Sequence, residues 1–429
     1  MTLKQNIIMT GLVLGWMLSA DVLVKLGNGI AQNRTLFLLS MAFCALLTGI
    51  AASVIHHPLL RNNGTGDNVG VLVQGAGRLP AMTLTLASRT LLMLLLPTGL
   101  LVSAGFAFNE IFVYWFPNFG FSFILLALIA GLHLLGKNVA RAAQPLFIGT
   151  AVLCLVILTL AGLSSSPDQA PLSVDTGFQF SGAGLVGCLL LFLGVDYIAP
   201  SGYQNSRVPA FAGLFLALLL FLFWSMVSLQ HVPADRLQDS TIPHLIAARN
   251  ILGQPGRFLM GTLIISSTCG LVNMLFHLTS EGFAALAGRR LLPGHPPGNL
   301  RRRIYIVVFT ILIGGLMMSG LAGDDKLEAF IRAALLLWLV LTGLQCFAAS
   351  RILNEVHNSS PVTGLITSFI IAVAAVVILA ADPQRETILA LLAITIGGIG
   401  LVSAYWLTKT PVVEIVPIHN QKKRNGGST

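Results

Sequence analysis

The sequence predicts an all-α integral membrane protein with about twelve transmembrane helices. Of its 429 residues, 55% are hydrophobic and only 10% are charged, whereas a soluble domain carries about 25% charged residues. Apolar segments long enough to cross a bilayer core, about 20 residues each, follow one another almost end to end. The chain therefore leaves no room for a sizeable soluble domain.

Each apolar segment is predicted to be a helix, because the lipid core offers backbone amide and carbonyl groups no partner outside the segment. Short loops rich in proline, glycine and charge separate the segments. The predicted spans, numbered in chain order, cover residues 6–30, 35–56, 80–108, 119–136, 142–164, 179–203, 208–230, 257–288, 303–322, 327–349, 361–381 and 387–408.

The lysines and arginines determine the predicted orientation, because cytoplasmic loops carry an excess of these residues. With the N-terminus inside, sixteen of the 25 Lys and Arg fall in cytoplasmic segments and eight in outer ones, and Arg89 lies within span 3. Glu110, at the end of span 3, is expected at the outer face. An even number of spans returns the basic tail around Lys422 to the cytoplasm. The prediction is a multi-pass protein of a bacterial-type inner (plasma) membrane with both termini cytoplasmic.

Several functional classes are disfavoured by patterns that the sequence lacks. The five cysteines lie in apolar segments without C-x-x-C spacing, so they indicate neither a disulfide framework nor a metal site. The formal net charge of +9 is spread over loops, which argues against a nucleic-acid partner. No Walker A, H-E-x-x-H or G-x-S-x-G pattern is present. The sequence therefore predicts neither an enzyme nor a bound cofactor, and it favours a secondary carrier.

Span 1 carries an acidic residue inside a glycine-interrupted apolar run. A carboxylate near the middle of a bilayer costs at least about 2.5 kcal/mol on insertion scales, so Asp21 is expected to face a cavity or a partner. One interpretation makes Asp21 the counter-charge of a substrate amine, or a group that exchanges a proton during coupling. The other makes it a structural residue that caps a broken helix or pairs with nearby Lys25.

Span 6 repeats this character, with four glycines before Asp196. Glycine destabilises a helix interior by about 1 kcal/mol relative to alanine, and Gly194 is the predicted point of unwinding. Broken helices at matching positions of two halves point to a transporter binding site. Asp196 is interpreted either as a coupling or gating acid or as a structural helix cap. Close helix packing through small residues is the alternative explanation of the glycines.

Polar residues in spans 3 and 8 each allow two interpretations. Arg89 is either buried against a carboxylate or extended toward the cytoplasmic surface, and the second is favoured. Ser266, Ser267 and Thr268 could offer hydroxyl groups to a sodium ion, although a hydroxyl-bearing helix seam is commoner. His277 could titrate near neutral pH, although a satisfied interior histidine is the better interpretation.

Three stretches match motifs of one permease superfamily. Phe192-Leu-Gly-Val-Asp196 fits F-x-G-[FV]-[DE], and the segment 204–210 after it is similar to a K-N-P-x-R-x-[IV]-P-x-A loop. Residues 280–293 resemble the end of a family helix 8, and residues 135–144 resemble a helix 4–5 loop. Over about residues 6–350 the chain thus resembles the amino acid–polyamine–organocation (APC) superfamily. Span 1 departs from that family, because residues 19–23 lack both glycines of G-[ST]-G-[IV]-F.

The resemblance implies the inverted five-plus-five helix repeat of LeuT-like transporters, with two C-terminal helices appended. The first repeat would cover residues 1–170 and the second residues 171–352. Spans 11 and 12 would fall in residues 353–410, and residues 411–429 would form a cytoplasmic tail.

The resemblance also implies secondary active transport of an amino acid or related amine by alternating access. Transport would be coupled to protons or sodium, with Phe192 as the gate. The depth of Asp21 and Asp196 in the apolar runs motivates the hypothesis that one of them is the proton-coupling or gating acid. The partners would be this small-molecule substrate and membrane lipid. An alternative is a membrane sensor or accessory subunit that keeps the permease fold without transport. The substrate would lie between broken spans 1 and 6 and contact Ser19, Ala20, Asp21, Val22, Phe192, Gly194, Val195 and Tyr197.

Overall fold

The computed structural model describes residues 3–62, 67–165, 182–196, 207–292, 299–357 and 362–409, and these contain helices but no strand. Tyr197 and the tail 411–429 lie outside the described residues. The α-helices, in chain order, are α1 (Leu3–Met17), α2 (Ala20–Ile55), α3 (Pro58–Asn62), α4 (Asn68–Ala76), α5 (Arg78–Ile111), α6 (Asn118–Leu135), α7 (Lys137–Ser164), α8 (Gly182–Gly187), α9 (Arg207–His231), α10 (Ala234–Leu237), α11 (Pro243–Leu252), α12 (Gln254–Gly288), α13 (Asn299–Met318), α14 (Asp325–His357), α15 (Val362–Ala381) and α16 (Arg385–Lys409). Two 3-10 helices accompany them, η1 (Cys188–Phe192) and η2 (Leu321–Gly323).

Nine helical segments in the described ranges are long and apolar enough to cross a bilayer. Their outward surfaces carry large apolar side chains such as Leu39, Phe215 and Phe369, which are 62%, 63% and 69% exposed. A soluble protein rarely exposes so much contiguous apolar surface, whereas lipid accepts it. The prediction of an all-helical, multi-pass membrane protein is confirmed.

The predicted count of about twelve spans exceeds these nine for structural reasons. Span 1 is divided between α1 and the first part of α2, and the described part of span 6 is divided between α8 and η1. Helix α2 continues into span 2 across a break at Arg34, where φ is 40° and ψ is −116°. Span 9 corresponds to α13, which begins with a run of three arginines. The number twelve and the inverted repeat remain predictions.

Short helices occupy two segments that were predicted to be loops. Helix α4 begins after Asp67, whose carboxylate accepts a hydrogen bond from the backbone N–H of Gly70 at 2.8 Å. Its apolar side chains, including Val69 and Leu72, are buried, and α4 packs against α5 and α14. Helix α11 has a proline at its start and packs against α12. Neither helix is long enough to cross a membrane, so neither gives the long apolar run by which a transmembrane span is predicted.

The centre of the bundle is formed by α5, α12 and α14. Helix α5 packs against both of the others, and the three helices bury Leu92, Leu275 and Trp338 completely. Helix α16 lies at the periphery, because Ile388 and Ser403 are its only buried residues. The central position of α5 and α14 decides what surrounds the two broken spans.

Candidate substrate site

The first span is broken between α1 and α2. Helix α1 ends at Met17, and Ser19 adopts an extended conformation with φ −64° and ψ 155°. The Ser19 side chain is fully buried and accepts a hydrogen bond from the backbone N–H of Val22 at 3.4 Å. Serine at this position satisfies one of the free N–H groups that begin a new helix. The predicted interruption of span 1 is confirmed, and Ser19 acts as the cap that starts α2.

The sixth span is interrupted at Gly194, as predicted. Helix α8 passes into η1, Leu193 is extended, and Gly194 has φ +109°. A backbone with such a positive φ favours glycine, because a side chain would be strained there. A Cβ atom on Gly194 would also lie 3.0 Å from the carbonyl oxygen of Val13. The glycine therefore permits both the local conformation and the close approach to α1.

The two breaks lie against each other. The indole Nε1 of Trp16, in the last turn of α1, donates a hydrogen bond of 2.7 Å to the carbonyl oxygen of Leu190 in η1. Gly194 approaches the carbonyl oxygen of Val13 one turn earlier in α1. Such interrupted backbone carries N–H and C=O groups that a regular helix would satisfy internally. The arrangement places helix ends and irregular backbone together in the interior of the protein.

The carboxylate of Asp196 is buried and bonded by side chains from α5 and α14. Arg89 Nη2, on α5, lies 2.6 Å from Oδ2, and the indole Nε1 of Trp338, on α14, donates to Oδ1 at 2.7 Å. Arg89 and Asp196 are only 2% and 0% exposed. Side chains also fix the backbone at this break. Asn68 donates a hydrogen bond to the carbonyl oxygen of Asp196, and His56 forms a hydrogen bond with the carbonyl oxygen of Val195.

The favoured sequence interpretation of Arg89 was therefore wrong. Arg89 does not extend to the cytoplasmic surface but pairs with a carboxylate 107 residues later in the chain. Its guanidinium also lies over the Trp338 ring, with Cζ 5.8 Å from the ring centroid. A buried charge requires a partner of opposite sign. The sequence does not identify this partner, because spans 3 and 6 come into contact only in the folded protein.

Asp21 occupies a different environment from Asp196. Lys25, one turn later in α2, lies 2.6 Å from its Oδ2, and the two side chains are 31% and 32% exposed. The Lys25 ammonium also lies 5.5 Å from the ring centroid of Trp16. The structural interpretation of Asp21 as the partner of Lys25 is thus correct, and its partial exposure leaves the carboxylate accessible from a cavity.

A cavity of about 370 Å³, termed the Asp21 cavity, opens beside the break in span 1. Its walls come from α1, α2, α5, α11, α12 and α14, and they are largely apolar. Burial lowers the pKa of His244 to about 4, so this histidine, on the non-spanning helix α11, is neutral at physiological pH. The residues that give the cavity its character are Trp16, Asp21, Leu100, Glu110, His244 and Ile264.

The predicted contact residues that the structure describes fall into three groups. Ala20 and Asp21 line the Asp21 cavity. Phe192 is fully buried against Phe221, with ring centroids 5.5 Å apart, and Val195 is buried beside it in the core. Ser19, Val22 and Gly194 belong to the breaks themselves, and Tyr197 lies outside the described residues. The gating role of Phe192 and the coupling roles of the two aspartates remain predictions.

Sequence reasoning missed several residues that hold the site together. Trp16, His56, Asn68 and Trp338 all donate or share hydrogen bonds at the two breaks. The available signal was polarity within or beside apolar runs, above all Trp338 within span 10. Their partners are 128 to 174 residues away in the chain, so no local pattern could reveal them.

Ser267 and His277 of span 8 follow the structural interpretations, whereas the buried hydroxyl of Thr268 has no hydrogen-bond partner among the described residues. Ser267 donates to the carbonyl oxygen of Ile264 at 3.1 Å, as in a hydroxyl-bearing helix seam. His277 is 5% exposed, and its Nε2 lies 3.5 Å from Arg141 Nη2. All five cysteines are buried, and none of them forms a disulfide bond. Within the described ranges, no group of three or more His, Cys, Asp or Glu side chains could hold a metal ion.

Comparison with known proteins finds similarity of structure but not of sequence. No family model matches the chain, and no curated protein matches it. A manganese transporter of Eremococcus coleocola, solved with an aromatic bis-isothiourea compound, matches with a TM-score of 0.58 at 16% identity. The alignment covers 98% of this chain and 95% of that one. The chain has the fold of a membrane transporter.

Variants of the same bacterial transporter give the same result. One matches with a TM-score of 0.60 at 14% identity, over 97% of this chain and 94% of that one. Another matches with a TM-score of 0.59 at 13% identity over the same shares. The alignments cover nearly the whole of both chains, so the similarity extends to the complete helical arrangement.

Proposed function

We propose that this protein is a secondary active transporter of amino acids or related amines that works by alternating access. The observation that carries the proposal is the pair of opposed breaks in spans 1 and 6, where Ser19 begins a new helix and Gly194 has a positive φ. Interrupted helices that meet inside a membrane protein are the usual form of a transporter substrate site. The transporter fold supports the same conclusion.

The chemistry of the Asp21 cavity favours an amine-bearing substrate. The carboxyl groups of Asp21 and Glu110 line it, and Leu100 and Ile264 supply apolar walls. A volume of about 370 Å³ falls at the small end of the range for organic ligands, about 300–1,000 Å³. A substrate ammonium would compete with Lys25 for Asp21, and the N–H groups that begin α2 would favour a substrate carboxylate.

The donor groups favour an organic substrate over a divalent metal ion. Manganese prefers several oxygen ligands around one point, and the described residues include no cluster of three or more His, Cys, Asp or Glu side chains. The carboxylate of Asp196 already accepts from Arg89 and Trp338. Transport of manganese is a property of the solved relatives, and we do not extend it to this chain.

Coupling to a proton or sodium gradient is part of the proposal. Asp21 is the more accessible acid, whereas Asp196 is fully buried and paired with Arg89. Loss of pH dependence in Asp21→Asn or Asp196→Asn would identify the coupling group. Full pH dependence in both variants would exclude these two acids.

Membership of the APC superfamily, an inverted repeat and cytoplasmic termini are proposed together with this function. They rest on the span 6, span 8 and span 4–5 motifs and on the distribution of lysine and arginine. The rival proposal is a membrane sensor or accessory subunit of the same fold. Its support is span 1, where Ser19-Ala20-Asp21 replaces the glycine-bearing segment of the family.

A binding screen followed by flux measurement tests the proposal. The full-length protein, purified in detergent, is heated with single amino acids, small amines or manganese chloride. A ligand at one hundred times its Kd stabilises the folded state by about 2.7 kcal/mol, which raises the unfolding temperature measurably. We expect an amine-bearing compound to do so, and the same compound to exchange across proteoliposome membranes.

Two variants assign the binding to the site. Asp21→Asn should weaken binding of the amine at least about tenfold, because one charge-assisted contact contributes about 1.5–3 kcal/mol. Asp324→Asn is the matched control, since Asp324 is a 45% exposed acid that does not line the cavity. If manganese chloride were the only compound that raised the unfolding temperature, the proposed amine substrate would be wrong and a metal ion would take its place. Binding without flux would favour the sensor.

A further inference from the structure

A second cavity lies at the other ends of the helices, away from the breaks. It has a volume of about 510 Å³ and is walled by the end of α6, the start of α7, the second half of α12 and the start of α13. By the predicted topology this is the cytoplasmic face. We term it the basic cavity, because Lys137, Arg302 and Arg303 line it.

The charges of the basic cavity are not balanced by the protein. Its acidic residue, Glu281, is held by Arg141 at 3.2 Å and also interacts electrostatically with Arg302. In the described part of the chain, neither Lys137 nor Arg302 nor Arg303 takes part in an ion pair or hydrogen bond through its side chain. Because Arg141 offsets the charge of Glu281, the three cations Lys137, Arg302 and Arg303 leave the cavity with three positive charges. Such a cavity would attract an anion.

Polar and apolar surface meet at the rim. Leu135 and Ile304, which flank the cationic residues in the chain, are 76% and 51% exposed, and Leu300 is 71% exposed. Leu135 lines the cavity itself, whereas Leu300 and Ile304 lie next to its lining residues at the start of α13. A soluble anion would gain nothing from this apolar rim, whereas a lipid would place its acyl chains there.

We propose that the basic cavity binds the headgroup of an anionic phospholipid from the adjoining leaflet. Arg302, Arg303 and Lys137 would contact the phosphate oxygens, and the hydroxyl of Tyr305 would donate to the same headgroup. The first N–H groups of α7 add positive potential, since this helix of 28 residues has no side-chain cap at its start. Basic pockets between transmembrane helices on the cytoplasmic side are suited to such headgroups.

The proposal is tested with the full-length protein in detergent, to which phosphatidylglycerol, phosphatidylcholine or inorganic phosphate is added. Thermal unfolding and the lipid retained in native mass spectra are measured for each. We expect phosphatidylglycerol alone to raise the unfolding temperature and to remain bound. Arg302→Gln/Arg303→Gln should weaken its apparent affinity about 30-fold, from the loss of two surface contacts between Arg and an anionic lipid.

Lys4→Gln/Lys409→Gln is the matched control, because it removes two exposed charges from the same predicted face outside the cavity. It should bind phosphatidylglycerol as the parent does. Equal stabilisation by phosphatidylcholine, an equal effect of inorganic phosphate, or an equal loss in the control would overturn the proposal. The Asp21 cavity is separate, so these outcomes leave the proposed transport function untouched.

Discussion

The buried pair of Arg89 and Asp196 leads to a quantitative prediction about two substitutions. The side chains are 2% and 0% exposed, and Arg89 Nη2 lies 2.6 Å from Asp196 Oδ2. Removal of one member of a buried pair costs about 3–5 kcal/mol, because the other charge is left without compensation. Asp196→Asn leaves the guanidinium uncompensated, and Arg89→Met leaves the carboxylate with the Trp338 indole N–H as its one remaining donor among the described residues. We expect each single variant to lose about 3–5 kcal/mol of unfolding free energy.

The double variant separates pairing from simple loss of packing. Arg89→Met/Asp196→Asn has no buried charge, so its loss should be smaller than the sum of the two single losses. Contacting residues in one network are coupled by up to about 3 kcal/mol, and we expect a value near that limit. The free energies are measured by equilibrium unfolding in mixed micelles with increasing sodium dodecyl sulfate.

Glu328→Gln provides the control for this cycle. Glu328 forms an ion pair with Arg332 at 2.6 Å, but it is 74% exposed. Exposed pairs contribute about 0–1 kcal/mol, so this variant should unfold almost as the parent does. Strictly additive losses at Arg89 and Asp196, or single losses as small as that of the control, would refute the reasoning.

Three further predictions concern the breaks and the Asp21 cavity. Gly194→Ala should destabilise the fold by about 1–3 kcal/mol because of the positive φ, whereas Gly187→Ala, whose Cβ would meet open space, should be neutral or stabilising in the same unfolding assay. Lys25→Met should bind the amine substrate more tightly in a thermal-shift titration, because Asp21 loses the cation 2.6 Å away; weaker binding would contradict the competition between them. His244 has a pKa of about 4 instead of the usual 6.5, so the unfolded state binds its proton at higher pH. The contribution of His244 to stability should therefore be full above pH 6.5 and fall toward pH 4, by about 3 kcal/mol at about 1.4 kcal/mol per pKa unit, and His244→Gln should lower the slope by this amount.

The positions of the helices and of both breaks followed from local sequence. Apolar runs specify helices in lipid because the backbone must satisfy itself. Gly194 indicated the interruption of span 6, because glycine is the residue that most readily adopts a positive φ and this preference can be recognised in the sequence. Ser19 lay inside a run whose break was expected, and its role as a helix cap is equally local. Short helices such as α4 were missed, because nine residues carry no transmembrane signal.

The partners of the polar residues were decided only by the tertiary structure. Asp21 and Asp196 are similar in sequence context, yet one is a third exposed beside Lys25 and the other is buried against Arg89. The difference arises because Arg89 on α5 and Trp338 on α14 bond the carboxylate of Asp196, whereas the carboxylate of Asp21 lines a cavity. A local pattern records that a charge lies among apolar residues, but the cost of burying it depends on side chains more than one hundred residues away. Sequence thus determined where the chain bends, and packing determined which acid is accessible.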